Sequence, residues 1–307
     1  MNRVYRKQMV EGVTIPAIIH NSSYFLIQMA VYADGIVSCW HKSDLTQFRQ
    51  DLRRGWVTPT VPTGKWLSVF QLGDYEIRQA KWAYDEARFY KRVRAVVNSL
   101  NPEMANLYKT TQREIDKWEK RRVGFSASPT PCKEKPGFGY DFWDGESGYI
   151  FCRKQDKLYI SPLTCYADKT VQVETLGENY YNMEEIEQLF AEGTLTTELK
   201  GEEWVRIEGL GDLLLASMDG LAEITAADKL GQLADDIANL VGEEDSLDVC
   251  RRAYHYYLEE PSDFSRERLR QKYEAVPEHL RMYLGDMDSR DTDYIRILYH
   301  PEEKREV

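Results

Sequence analysis

The sequence predicts an α+β fold built by internal duplication of one β-β-β-α-β-β unit, a mostly antiparallel sheet plus one helix, with a helical segment after each copy. Three observations carry this. The hexamer YADGIV at Tyr32 is echoed by YADKTV at Tyr166. Residues 44–74 and 182–212 align without a gap at an offset of 138, sharing Gln50/Gln188, Gly55/Gly193, Thr58/Thr196, Trp66/Trp204 and Leu72-Gly73-Asp74 against Leu210-Gly211-Asp212. Apolar positions match in the same register, among them Phe48/Ile186, Leu67/Val205 and Val69/Ile207. A period this long gives two pseudo-equivalent domains rather than a solenoid. Matched positions are then scaffold, and function is expected where the copies differ.

The elements follow in order. Strands are expected at Val13–His20 and Tyr24–Tyr32 around an Asn21-Ser22 turn, then at Ile36–Trp40 after an Asp34-Gly35 hairpin turn. Asp44 should cap a helix over Leu45–Arg54, whose Leu45, Phe48 and Leu52 share one face, with Gly55 as its C-terminal stop. Short strands at Trp56–Thr58 and Lys65–Leu72 close the unit, with Trp66 and Trp204 expected in equivalent buried places. The second copy repeats this with strands near Tyr149–Cys152, Leu158–Tyr166 and Thr170–Glu174, a helix Met183–Ala191, and strands Leu195–Glu198 and Trp204–Glu208. A helix carrying Arg78 to Leu100 and another from Pro102 to Arg122 follow the first copy. After the second, helices are expected at 225–241, 246–259 and 265–274, with Leu230, Leu233, Ile237 and Leu240 lining the first of them. The stretch 126–139, rich in Ser, Pro, Gly and Lys, reads as a linker. The expected division is therefore 1–125 with a basic helical extension, the linker, and 140–307 with an acidic helical end.

Charge divides the same way. Residues 1–122 hold 20 Lys and Arg against 12 Asp and Glu, while 123–307 hold 20 against 39, so a net −11 conceals +8 and −19. The opening MNRVYRKQMVEG lacks the apolar core of a signal peptide, and no apolar run approaches a membrane span. Five scattered cysteines without a C-x-x-C pair suit reduced thiols and a cytoplasmic setting.

Two constellations could carry chemistry. Asp286, Asp288, Asp291 and Asp293 bring carboxylates close enough to interest a divalent cation, though the spacing is not that of an EF-hand and a solvated turn before a strand at Tyr294–Tyr299 is the simpler explanation. Arg88, Lys91 and Arg92, and then Arg113, Lys117 and Lys120, share helical faces interleaved with Tyr and Trp, an arrangement suited to an acidic protein or to nucleic acid bound through residues 78–122. Glu86, Asp85, Glu114, Asp116 and Glu119 lie among them and could pair with them instead. Nucleophile elbows, phosphate loops and zinc spacings are missing, and no cofactor is expected. The reading is a non-enzymatic protein-interaction or inhibitor/immunity-type protein that binds a protein partner or itself, away from membranes. Nucleic-acid binding through 78–122 and a metal-dependent enzyme using the aspartates remain as alternatives.

Overall fold

A tyrosine ring decides how the first strand begins. In the computed structural model, which describes residues 10–114, 131–137, 141–217, 224–285 and 290–303, a Cβ on Gly12 would lie 2.5 Å from Cδ1 of Tyr32. Glycine leaves room for that ring, and β1 (Gly12–Asn21) pairs antiparallel with β2 (Ser23–Tyr32), Gly12 opposite Tyr32. The hairpin turn that follows is held by Asp34, whose Oδ1 accepts the Ile36 N–H at 3.1 Å, with Gly35 at φ 81°. Next come β3 (Val37–Cys39), β4 (His41–Ser43), α1 (Leu45–Arg53), β5 (Val57–Thr58), β6 (Trp66–Val69), β7 (Gly73–Trp82) and α2 (Glu86–Leu100).

From Cys132 the order is β8 (Cys132–Glu134), β9 (Phe142–Lys154), β10 (Lys157–Tyr166), β11 (Val171–Val173), β12 (Tyr180–Tyr181), α3 (Met183–Ala191), β13 (Leu195–Thr196), β14 (Glu202–Ile207), β15 (Gly211–Ser217) and α4 (Ala226–Val241). Gly145 in β9 meets the constraint of Gly12: its Cβ would lie 2.9 Å from Cδ1 of Tyr166. Helices α5 (Ser246–Glu259), α6 (Asp263–Ala275) and α7 (Thr292–Tyr299) follow, with a 3-10 segment at Glu278–Tyr283. The chain is a mixed α+β protein with a large, mostly antiparallel sheet.

Two units form. The first comprises Met1–Thr130, Gln155–Ile160 and Leu199–Met218. Its strands lie in the order β10-β14-β15-β7-β6-β2-β1-β5. One face buries Leu26, Leu67, Val69, Ile77, Val205 and Leu215, and helices α1 and α2 bury Phe48, Phe89 and Val93, the two phenylalanine rings 6.5 Å apart. The second unit comprises Pro131–Lys154, Ser161–Glu198 and Asp219–Val307. Here β10 pairs with β11 and β9, β9 also pairs with β13 and β8, and α3 and α4 supply Ile186, Leu233 and Ile237 to the core. Its last helices enclose their own core of Cys250, Leu269, Tyr273, Leu284, Tyr294 and Ile297.

Strand registers recur along the chain. In the parallel pair β2–β6, Tyr24 faces Leu67; in the parallel pair β10–β14, Leu158 faces Val205. Val31 faces Val37 in β2–β3, and Cys165 faces Val171 in β10–β11. Leu67 faces Tyr75 in β6–β7, and Val205 faces Leu213 in β14–β15.

Several expectations are corrected. The structure has more strands than the expected β-β-β-α-β-β order allows, because β4 and β7 were not foreseen, nor β12 and β15. Arg78 and Lys81 lie on strand β7, where Tyr75 and Ile77 alternate inward, and the helix begins only after Asp85, which caps it by accepting the Arg88 N–H at 2.7 Å. Residues 102–111 are turns and irregular structure rather than helix; 112–114 are helical, and 115–122 lie outside the described residues. Cys132–Glu134, inside the expected linker, is a strand against β9. Tyr294–Tyr299 is helix α7, burying Tyr294, Ile297 and Leu298 at helical spacing. Trp66 is half-buried and Trp204 is 43% exposed under the Lys81 ammonium, so neither is core. Between Phe89 and Val97 the inward stripe of α2 agrees with its spacing, but α4 buries Lys229, Gln232, Leu233 and Ile237 in place of a Leu230-to-Leu240 stripe.

Candidate protein interface

Helix α1 starts where Asp44 accepts the N–H groups of Thr46 and Gln47, both at 2.8 Å. Its second carboxylate oxygen accepts the Thr110 N–H at 2.8 Å, which ties the chain beyond α2 back to the cap. Burial would raise the Asp44 pKa, but backbone donation from Gln47, Thr110 and Thr46 outweighs it and holds the carboxyl below its ordinary value. Helix α2 packs beside α1: Tyr90 stacks on Phe48 at 6.4 Å, and the Arg49 guanidinium lies 5.3 Å above the Tyr90 ring.

This pair of helices presents Arg49, Arg53 and Arg54 from α1 and Arg88, Lys91 and Arg94 from α2, with Lys109 and Arg113 beyond. All eight are exposed, and among the described residues none forms an ion pair. Three of the nearby acids are otherwise engaged, while Glu86 is exposed and forms no ion pair among the described residues. Asp51 accepts from Ser43 at 2.9 Å and contacts His41 Nε2 at 3.1 Å; Asp85 caps α2; Glu114 accepts from the Tyr108 hydroxyl at 2.6 Å and from the Thr111 N–H at 2.8 Å. Among the described residues, the i,i+4 pairs that would neutralise the face are not made there.

Arg92 behaves differently from Arg88 and Lys91. It is half-buried, donates to the Tyr84 hydroxyl at 2.7 Å, and lies over that ring at 5.3 Å. Its Nη2 sits where a side chain on Gly209 would begin, 2.9 Å from the Cβ position, so Arg92 pins α2 to the turn between β14 and β15. Lys117 and Lys120 lie outside the described residues.

Among the described residues, Asp291 and Asp293 are each engaged with another side chain. Asp286 and Asp288 lie outside the described residues; Asp291 accepts from the Tyr273 hydroxyl at 2.8 Å, and Asp293 lies 3.5 Å from Arg296. Ser43 Oγ donates to Asp51 and not to His41, so these three do not form a nucleophile relay. Burial pushes the thiols of Cys39, Cys165 and Cys250 up to about 12 and that of Cys152 up to about 11, which keeps them protonated and weakly nucleophilic.

The second unit offers the opposite surface. Helix α3 is capped by Asn182, with Glu185 completing the capping box, and exposes Glu184, Glu187 and Glu192 without an ion pair among the described residues. Sequence reasoning missed Lys229. It is fully buried, its amine 3.4 Å from Gln232 Oε1. Burial drives its pKa down to about 8, against the opposing pull of Asp236 and Cys165. The spacing Phe89-Val93-Val97, matched by Lys229-Leu233-Ile237, was the available signal. The expected stripe of Leu230, Leu233, Ile237 and Leu240 left Lys229 out.

A family model described as "Domain of unknown function (DUF7638)" matches residues 1–104 and 136–244, and one described as "Domain of unknown function (DUF7639)" matches residues 245–306. No curated protein and no solved structure matches the chain. Among the described residues, no helix is long and apolar enough to cross a membrane. With the first model covering well over half of its length, the chain belongs to the DUF7638 family.

Proposed function

We propose that the chain is an internal duplication acting as a non-enzymatic protein-interaction protein, of inhibitor or immunity type, that engages an acidic protein surface on the α1–α2 face. The duplication is supported by the recurring registers: Tyr24/Leu67 and Leu158/Val205 differ by 134 in one strand and 138 in the other, and the remaining recurrent pairs keep those offsets. One family model matching two separate segments supports it as well. A cytoplasmic setting agrees with five free cysteines.

One observation carries the functional reading: six exposed cations on helices α1 and α2, with Lys109 and Arg113 beyond them, form no ion pair among the described residues. Like charges held together repel, and an acidic partner relieves that repulsion while accelerating encounter. The test is affinity capture from the native cell with the wild-type chain and an Arg49→Glu/Lys91→Glu/Arg94→Glu variant, at low and high salt, with and without nuclease. Protein partners that survive nuclease, are lost in the variant and fade at high salt support the proposal. Recovery that depends on nucleic acid favours the phosphate-binding alternative, and identical recovery by both chains removes the basic face from consideration.

A further inference from the structure

Helices α1 and α3 are built alike. Each has nine residues, begins after a side-chain cap at Asp44 or Asn182, and ends before a left-handed glycine, Gly55 at φ 72° or Gly193 at φ 74°. Along the offset of 138, Arg49 corresponds to Glu187 and Arg54 to Glu192. All four are exposed, and none forms an ion pair among the described residues. The same scaffold therefore presents cations in one unit and carboxylates in the other.

We infer that the α1–α2 face of one molecule docks the α3 face of a second copy of this chain, so that molecules self-associate; the inference rests on the interaction reading above. Charge complementarity selects this occupant. Arg49, Arg53, Arg54, Arg88, Lys91 and Arg94 meet a surface that carries Glu184, Glu187 and Glu192 and is present at the same concentration in every solution of the protein. Each molecule contributes one basic and one acidic face, so every copy can both offer and accept the contact. Exposed ion pairs are individually weak and screened, so the association is concentration-dependent and salt-sensitive.

Sedimentation of the full chain at about 20 mM and about 500 mM salt tests this. The wild-type chain should gain mass with concentration at low salt and return to monomer at high salt. Arg49→Glu/Arg54→Glu alone and Glu187→Arg/Glu192→Arg alone should each stay monomeric, while an equal mixture of the two should associate, because each then supplies the charge the other lacks. Unchanged circular dichroism and melting confirm that both variants fold. A wild-type chain that is monomeric at every concentration, association that ignores salt, or a mixture that stays monomeric overturns the inference. If the chain does not self-associate yet Arg49→Glu/Arg54→Glu loses a different acidic protein, the interaction reading stands and the second-copy occupant is rejected. Loss of nucleic-acid binding in that variant, with no association, rejects both.

Discussion

Residues 12–100 and 145–241 share backbone devices and differ in what they display. Glycines at 12 and 145 clear the rings of Tyr32 and Tyr166. Asp34 and Asp168 accept the backbone N–H two residues on, from Ile36 and Thr170. Thr58 and Thr196 each accept the N–H of the residue two ahead, at 3.2 Å. Against this sameness, Arg49 stands opposite Glu187 in the comparison, and the fully buried Phe89 stands opposite the fully buried Lys229. At Gly12/Gly145, Asp34/Asp168 and Thr58/Thr196, steric and hydrogen-bonding demands suit the residue type found in both stretches. Exposed positions carry no such demand and can invert their charge, and a core position can change character where neighbours tolerate it.

The core pair is where the comparison breaks most easily. Phe89→Ala should destabilise the first unit by about 3–5 kcal/mol in urea unfolding, as a fully buried ring that touches Phe48 and Tyr84. Lys229→Met should act through pH instead. The folded pKa of about 8 lies below the ordinary 10.5, so the unfolded chain binds more protons between those values and native stability rises with pH through that window. Below about pH 8 the penalty for burying the ammonium is fully present. Relative to Lys229→Met, the wild-type chain should therefore gain about 3 kcal/mol between pH 7 and pH 11. A difference that stays flat across that range would show that Lys229 keeps an ordinary affinity for its proton.

Local signals made much of this fold legible. The helices at 45–53, 183–191 and 246–259 were readable because cap, apolar spacing and stop glycine or proline all lie within a few residues. Strand β7 was not, because its alternation is short, its outward residues are cations at helix-like spacing, and its neighbour β15 is supplied by residues 211–217. Tyr294–Tyr299 satisfies both periods, and only packing against Tyr254 and Tyr273 decides for helix. The basic face was legible at Arg88, Lys91 and Arg113. Its α1 half was overlooked, since Arg49 joins α2 only through Tyr90, and Arg92 was placed on it although Tyr84 and Gly209 draw it inward.

The two helix caps sharpen the comparison at a smaller scale. Asp44 serves Thr46, Gln47 and Thr110, whereas the Asn182 side chain serves Glu185 alone. Asn182→Ala should cost about 1 kcal/mol and Asp44→Ala nearer about 2, read from urea midpoints. Acid should separate them further. The Asp44 carboxyl is held below its ordinary pKa, so its contribution is present above the ordinary carboxylate range and is lost as pH falls through the folded value, while Asn182 does not titrate. Moving from pH 7 to pH 3 should therefore shrink the Asp44→Ala effect and leave the Asn182→Ala effect unchanged.

The smallest expected effect lies in the turn that makes the two stretches recognisable. In both hairpins the residue after the aspartate is left-handed, Gly35 at φ 81° and Lys169 at φ 66°. A side chain in that conformation costs about 1 kcal/mol relative to glycine, partly offset by the freedom glycine has when unfolded. Lys169→Gly should therefore stabilise the second unit by less than about 1 kcal/mol, the exposed contact with Glu243 at 4.0 Å adding little that could be lost. Gly35→Lys should destabilise by more than the reverse change gains, because a Cβ there would also crowd Leu107 Cδ2 at 3.2 Å. Urea midpoints at constant slope read both. If Gly35→Lys is neutral, the two turns differ in backbone tolerance despite their shared hydrogen bonds, and the equivalence of the hairpins rests on Tyr32, Tyr166 and their glycines alone.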